Sequence, residues 1–224
     1  MTEKKNLPLR IQSLFPDCVA TACCRVADAD GSIAPAEYSS MNHAVEARQQ
    51  EFSAGRMCAR QALKHLGCFA GPLRKLPNRS ISWPEGIIGT VSHNEIWCGA
   101  AVARRCDVAG IGLDMETVAR IGENLWRRIL TTEERTWLGL QPAAESQQWA
   151  ALIFSAKEAV YKCIAALVPR RIGFMDALIA PEIQEGAFEV HLKGSIAGHL
   201  PKGLQLQGRF FFFAGAVFTG LTLA

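Results

Sequence analysis

Apolar and polar positions alternate along the chain in two periods, and these periods predict its helices and strands. Residues 18–26 alternate small and β-prone side chains, which predicts a strand, and Asp-Ala-Asp-Gly at 28–31 predicts a turn after it. Residues 42–66 predict a long helix that Gly67 ends. The apolar stripe of this helix consists of Val45, Phe52, Ala59, Leu63 and Leu66.

The rest of the pattern adds hairpins and two more helices. Residues 87–102 predict a hairpin that turns near Asn94 and Glu95, and residues 108–113 predict a short buried strand. Helices are expected near Thr131 and over 148–167, and residues 210–224 predict two buried strands joined at Ala214-Gly215. Helices and antiparallel hairpins in this order indicate an α+β fold.

Length and composition describe a globular protein of one large or two small domains. The chain has 224 residues, of which 49% are hydrophobic and 20% charged. Its eight cysteines include no C-x-x-C spacing, which argues against a zinc site, and the N-terminus has no signal-peptide pattern. The apolar tail of 15 residues at 210–224 is shorter than the roughly 20 that a membrane-spanning helix needs. We therefore expect a soluble, cytoplasmic, monomeric protein with reduced thiols.

Charge is divided unevenly along the chain, although the net charge is only +3. Residues 52–83 contain no acidic residue, whereas carboxylates gather between 107 and 134. The basic segment by itself is most simply a solvated helix face. Arg48 and Arg56, however, lie about 40° to either side of Phe52 on the predicted helix, next to the buried stripe. Guanidinium groups placed there need anionic partners, either nearby acids such as Glu46 and Glu51 or a phosphate ligand.

A short repeat suggests two similar halves. Phe52-Ser-Ala and Phe154-Ser-Ala are identical and lie 102 positions apart, each within a predicted long helix. In this register Arg56 corresponds to Glu158, and Arg60 corresponds to Lys162.

Three short motifs carry candidate chemistry. Asp114 and Glu116 alternate after an apolar strand, so both side chains point to one face and can share a hard cation such as Mg²⁺. Glu158 and Lys162 are one helical turn apart, and Ser92-His93 ends a strand. Taken singly, each motif has an ordinary structural explanation: an exposed strand end, a surface ion pair and a structural histidine.

Taken together, the motifs resemble a known family. The order is S-H, then G-I-G-L-D-M-E, then F-S-A-K-E-A-V-Y-K, with 42 positions between Glu116 and Glu158. This resembles the 4′-phosphopantetheinyl transferases of the Sfp type, particularly the EntD-like, siderophore-associated branch. Residues 51–60 and 83–93 extend the resemblance, which covers about 48–173. Asn94 departs from the family, where many relatives have Cys or Ser.

The resemblance implies two similar α/β halves related by a pseudo-twofold, with the active site in the cleft between them. Residues 1–109 would bind the nucleotide of coenzyme A, and residues 110–224 would bind Mg²⁺ and catalyse the reaction. That reaction moves 4′-phosphopantetheine from coenzyme A to a serine of an acyl or peptidyl carrier protein and releases 3′,5′-ADP. The implied carrier partners belong to non-ribosomal peptide, polyketide or fatty-acid synthases, with no nucleic acid or membrane involved.

The resemblance also assigns roles to individual residues. The metal ligands would be Asp114, Glu116 and Glu158, with Mg²⁺ as the metal or Mn²⁺ in its place. The catalytic residues would be Glu158, His93 and Lys162, with Glu158 or a water that it positions as the base. The residues that bind coenzyme A would be Arg48, Arg56, Lys75, Arg79, Ser92, His93, Lys157, Tyr161 and Lys162.

Three other functions compete with this interpretation. A Mg²⁺-dependent nuclease or nucleotidyl transferase would use the same D-x-E pair, but it needs a basic surface for nucleic acid. A non-catalytic coenzyme A-binding module would have no need of all three acids. A plain interaction protein leaves Arg48 and Arg56 unexplained.

Overall fold

The computed structural model describes residues 6–31, 33–38, 45–69, 71–76, 80–168, 172–201 and 204–224. The chain forms two compact units, unit 1 (Met1–Ile111 and Ala224) and unit 2 (Gly112–Leu223). Each unit combines helices with an antiparallel sheet, so the α+β class predicted from the sequence is confirmed.

Unit 1 has one long helix packed on a three-stranded sheet. Its helices are α1 (Leu7–Gln12), α2 (Pro35–Tyr38) and α3 (Glu46–His65), and its strands are β1 (Ala20–Arg25), β2 (Ile87–His93) and β3 (Trp97–Arg104). The strands pair antiparallel in the order β1-β3-β2. Small side chains on α3 (Ala54, Ala59 and Ala62) are fully buried against this sheet, which lets the helix lie close to it.

Unit 2 has a larger sheet and a second long helix. Its strands are β4 (Gly110–Thr117, beginning in the last residues of unit 1), β5 (Ala177–Glu182), β6 (Ala187–Leu192), β7 (Leu206–Phe213) and β8 (Ala216–Leu223). Its helices are α4 (Glu123–Ile129), α5 (Thr132–Gly139), α6 (Ser146–Ile164) and α7 (Gly194–Ala197). The strand order is β4-β8-β7-β6-β5, and α6 lies on β8 and β5.

The predicted elements occur with modest shifts at their ends. The predicted strand at 18–26 is β1, the hairpin turns at Asn94–Ile96, and Gly67 ends α3 with a positive φ of 75°. Val45, predicted on the buried stripe of α3, is instead an exposed residue that precedes the helix. The stripe begins one turn later because the helix does. The tail forms β7 and β8, joined at Ala214 and Gly215, both with positive φ.

No helix among the described residues is both long enough and apolar enough to cross a membrane.

Candidate active site

The acidic motif lies on β4, where α6 approaches the strand closely. Asp114 is buried and Glu116 half-buried, two positions apart on one face of β4. The approach is possible because residue 112 is glycine: a Cβ there would collide with the main-chain oxygen of Ala159 on α6. The sequence therefore brings Glu158 and Lys162, on the same helix, to the acidic strand.

Both oxygens of the Asp114 carboxylate accept hydrogen bonds from α6. Lys162 Nζ donates to Oδ1 at 2.7 Å and also to the main-chain oxygen of Leu113 at 3.1 Å. Ser155 Oγ donates to Oδ2 at 2.9 Å. Lys162 of α6 therefore forms hydrogen bonds with β4, outside its own helix. The structure brings together two of the predicted motifs through this ion pair.

Glu116 lies in an environment that disfavours its charged form. The pKa of Glu116 is raised from 4.5 to about 8, mainly by burial and also by the neighbouring carboxylates of Asp114 and Glu158, against the lowering effects of Lys162 and Arg120. The three carboxylates are therefore close enough to interact, and Lys162 alone does not neutralise them. Such a group attracts a further cation.

The donor set fits a hard cation that completes its coordination with other oxygens. Within the described ranges, no three His, Cys, Asp or Glu side chains already surround a single metal position. Mg²⁺ does not require one, because it binds through one or two carboxylates and keeps waters or substrate phosphates in its other positions. Asp114 and Glu116 provide that number from β4, and Glu158 adds a third carboxylate from α6.

Lys157, a predicted ligand of coenzyme A, is buried in the interior of unit 2. Its ammonium donates to Glu134 Oε2 at 2.6 Å and to the main-chain oxygens of Ile129 and Phe174, each at 2.8 Å. These three bonds account for its three hydrogens. Because all three hydrogens are used inside unit 2, this arrangement argues against binding of coenzyme A by Lys157. It favours a structural role in holding α6 in place. Tyr161, one turn further along α6, is exposed.

A second polar group lies in unit 1, where α3 meets the end of β2. Arg48 Nη1 donates to Glu51 Oε2 at 2.8 Å and lies 3.1 Å from His93 Nε2. Since arginine has only donors, Nε2 is the acceptor where this contact is a hydrogen bond. The Arg48 side chain is 54% exposed, contrary to the expectation that it flanks the buried stripe. The group combines an arginine and a histidine that can face an anion.

Arg56, two turns further along α3, is only 5% exposed. Its guanidinium stacks on Phe52, 4.2 Å from the ring centre, and burial lowers its pKa despite the opposing effect of Glu37. Among the described residues its Nε has no hydrogen-bond partner. A buried guanidinium with an unused donor is costly unless it binds an anion.

The remaining predicted ligands lie on β2 and in the loop before it. Ser92 is buried on β2 next to His93, and Lys75 is exposed in a short bridge with Ile81. Arg79 lies outside the described residues. Asn94, the departure from the family pattern, closes the hairpin after His93: its Oδ1 accepts from the main-chain nitrogens of Ile96 and Trp97 at 2.9 and 2.7 Å.

Several residues that shape these groups were not predicted. Two of them are buried acids that hold helices in place, Glu37 and Glu134. The other two are buried hydroxyl residues, Ser155 and Thr219, of which Ser155 donates to Asp114. Ser155 stands inside a motif that the sequence singled out, but nothing in the spacing connects it to Asp114, 41 positions earlier. Glu134 had one signal, because Thr131 and Glu134 form a capping box at the start of α5.

Comparison with known proteins identifies the family of the chain. A family model described as the 4′-phosphopantetheinyl transferase N-terminal domain matches residues 36–103. A second, described as the 4′-phosphopantetheinyl transferase superfamily, matches residues 110–206 and thus includes β4 and α6.

Three bacterial relatives match over most of their length. The chain is 35% identical to the 4′-phosphopantetheinyl transferase Svp of Streptomyces mobaraensis, over 85% of this chain and 78% of that protein. It is 30% identical to Npt of Nocardia iowensis, over 96% and 100%. It is 33% identical to PptT of Mycobacterium tuberculosis, over 84% and 85%. The acidic group on β4 and α6 and the basic group on α3 and β2 are thus found in a chain that belongs to the 4′-phosphopantetheinyl transferase family and is a transferase enzyme.

Proposed function

We propose that this enzyme transfers 4′-phosphopantetheine from coenzyme A to a serine hydroxyl of a carrier protein, with Mg²⁺ as the metal and 3′,5′-ADP as the leaving product. The observation that carries the proposal is geometric: Asp114 and Glu116 lie on one face of β4, and Lys162 of α6 donates to Asp114 Oδ1 at 2.7 Å. Neighbouring carboxylates disfavour one another's charged forms, and a bound cation would relieve that repulsion. Its neighbour Lys162 supplies a positive charge for phosphate oxygens.

The residues of unit 1 are proposed to bind the nucleotide end of coenzyme A, including its 3′-phosphate. Arg56 offers a buried guanidinium with an unused donor, and Arg48 offers an exposed one. Arginine suits phosphate because its planar fork donates two parallel hydrogen bonds. His93 would contact the pyrophosphate. To donate a hydrogen bond to it, Nε2 must give up its contact with Arg48 and carry a hydrogen. Lys75, Arg79 and Ser92 complete the proposed set.

In the proposed reaction the carrier serine attacks the β-phosphorus of coenzyme A. The new bond joins the serine oxygen to phosphorus, and the bond from phosphorus to the departing 3′,5′-ADP breaks. Glu158 takes the serine proton, directly or through a water that it holds. Lys162 and His93 donate to oxygens of the pyrophosphate, on which negative charge accumulates as the bond breaks.

A metal held by Asp114, Glu116 and Glu158 would polarise the phosphoryl group and neutralise its charge. Mn²⁺ would serve in place of Mg²⁺, because oxygen ligands distinguish the two only weakly. Tyr161 is proposed to line the same site, since it is exposed one turn from Glu158.

The proposed partners are carrier proteins of siderophore-associated non-ribosomal peptide synthases, with polyketide and fatty-acid carriers as further candidates. Enterobactin synthase component D of Escherichia coli supports the first of these: it is 31% identical over 62% of this chain and 65% of that protein. A cytoplasmic, monomeric enzyme is part of the proposal.

The decisive experiment is to incubate the enzyme with coenzyme A, Mg²⁺ and an apo carrier protein and then weigh the carrier. We expect a mass gain of one phosphopantetheine and an equal amount of 3′,5′-ADP. Glu158→Gln should abolish turnover, whereas the same change at the exposed Glu189 should leave it unaffected. No mass gain across carriers of all three synthase classes, or near-normal turnover by Glu158→Gln, would overturn the activity or the role of Glu158 respectively.

A further inference from the structure

Two buried hydroxyl groups in unit 2 lie directly behind the acidic strand. Ser155 Oγ donates to Asp114 Oδ2 at 2.9 Å, and it also lies 2.8 Å from Thr219 Oγ1. Ser155 is on α6 and Thr219 is on β8. We propose that Ser155, supported by Thr219, is a positioning residue that fixes the Asp114 carboxylate for metal binding, an inference that rests on the proposed function.

The hydrogen-bond inventory gives this pair a direction. A serine hydroxyl has one hydrogen, and in Ser155 that hydrogen goes to the carboxylate of Asp114. Ser155 must therefore accept in its contact with Thr219, so Thr219 is the donor. The chain runs from Thr219 to Ser155 to Asp114. Each donor polarises the next in such a chain, which strengthens the final bond to the carboxylate.

Because both hydroxyls are buried, each of them needs a hydrogen-bond partner within the protein. Ser155 and Thr219 are each 0% exposed, and their neighbours Ala156, Phe218 and Val217 are apolar and equally buried. A hydroxyl in such a place costs free energy unless it is hydrogen-bonded. An alanine and a valine would fill the same positions without that cost. Here Thr219 donates its hydrogen to Ser155, and Ser155 donates its hydrogen to Asp114.

Ser155 and Lys162 donate to different oxygens of Asp114. Ser155 holds Oδ2 and Lys162 holds Oδ1, seven residues further along α6. With one donor on each oxygen, the carboxylate cannot rotate without breaking a bond. Lys162 is half-buried and would also face the phosphates, whereas Ser155 is sealed from solvent. Orientation of the carboxylate is thus the specific contribution of Ser155.

The test measures metal binding without turnover, by titrating Mn²⁺ and following the free ion by electron paramagnetic resonance. Removing a hydrogen-bond donor to a metal-binding side chain typically weakens metal affinity about 10- to 100-fold, and we expect this of Ser155→Ala. Thr219→Val should produce a smaller loss, because Ser155 keeps its bond to Asp114. The matched control is Ser53→Ala, which removes a fully buried serine from the other F-S-A sequence, on α3.

Activity provides a second readout that a loss of packing would not reproduce. Ser155→Ala should raise the Mg²⁺ concentration needed for half-maximal turnover, while kcat at saturating Mg²⁺ returns toward that of the wild type. If Ser155→Ala does not fold, as judged by circular dichroism, Ser155→Cys keeps the volume with a weaker donor and should show the same direction of change.

The outcomes separate this inference from the proposed function. If Asp114→Asn loses Mn²⁺ binding while the Ser155 variants stay within about twofold of wild type, the role of Ser155 is wrong and the metal site stands. If Asp114→Asn binds Mn²⁺ as the wild type does, the metal site itself is wrong, and the role of Ser155 is overturned with it.

Discussion

Replacing Lys157 by methionine tests whether this lysine is structural or binds coenzyme A. Methionine keeps the length of the apolar stem and removes the ammonium group. The side chain is 2% exposed, and its three hydrogen bonds go to Glu134 and to two main-chain oxygens. We expect Lys157→Met to destabilise unit 2 while leaving the affinity for coenzyme A of the folded protein unchanged.

The size of the effect follows from what the change leaves behind. Glu134 stays buried without its cationic partner, and two main-chain oxygens lose their donor. Removing one partner of a buried ion pair typically costs about 3–5 kcal/mol. Glu134 keeps two other donors, the main-chain nitrogens of Thr131 at 2.7 Å and Ile179 at 2.8 Å. These reduce the loss, so we expect about 3 kcal/mol, at the lower end of that range.

The measurement is urea-induced unfolding, followed by circular dichroism. Lys64→Met is the matched control, because Lys64 is exposed on α3 and the same change there should alter the unfolding free energy by no more than about 0.5 kcal/mol. The double variant Lys157→Met/Glu134→Gln should be less destabilised than the sum of its single changes, by about 1–3 kcal/mol. That non-additivity identifies the pair itself as the source.

One result would refute the reasoning. Suppose that the unfolding free energy of Lys157→Met lies within about 1 kcal/mol of the wild-type value while its KM for coenzyme A is raised. The ammonium group would then bind substrate, as the family resemblance implies. The buried ion pair would then contribute little to stability.

Three further predictions concern Glu116, Gly112 and Arg56. The folded-state pKa of Glu116, about 8, lies above its unfolded value of 4.5, so the folded state loses stability as pH rises between these values. Without divalent ions, Glu116→Gln should therefore be as stable as the wild type near pH 4.5 and more stable at pH 8.5, as measured by thermal unfolding. Gly112→Ala should destabilise the protein by about 1–3 kcal/mol in urea unfolding, because α6 must move away from β4. Arg56→Lys should weaken coenzyme A binding in calorimetry, since lysine keeps the charge but loses both the forked donor and the stacking of the guanidinium on Phe52.

The sequence predicted the elements well and their side-chain contacts only in part. Period and turn signals found the hairpin, the long helices and the β7–β8 tail, because these depend on neighbours in the chain. The motif residues Asp114, Glu116 and Lys162 were singled out by type and spacing, and the structure brings them together on β4 and α6. The burial of Arg56 also followed from helical period, which places it beside Phe52 at the edge of the apolar stripe of α3.

Contacts between distant residues were beyond such patterns. Lys157 and Glu158 are adjacent in one motif, yet the helix turns them to different surroundings: Lys157 to the buried Glu134, Glu158 to the acidic group. A motif assigns both to one site, and only packing separates them. The hydrogen bond from Ser155 to Asp114 likewise depends on how closely α6 approaches β4 at Gly112. The spacing of residues in the sequence does not predict that distance.

The residues that follow the repeated F-S-A sequence correspond in α3 and α6 but differ in charge. Arg56 and Arg60 on α3 occupy the register of Glu158 and Lys162 on α6. In both helices the second of these positions is a cation paired with a buried carboxylate of its own unit, Arg60 with Glu37 at 3.1 Å and Lys162 with Asp114 at 2.7 Å. The first position differs: it is a buried arginine on α3 and a half-buried glutamate on α6. A cation paired with a buried carboxylate is thus common to both helices. In the proposed function, the position one turn before it would decide whether the helix binds a phosphate or a metal ion.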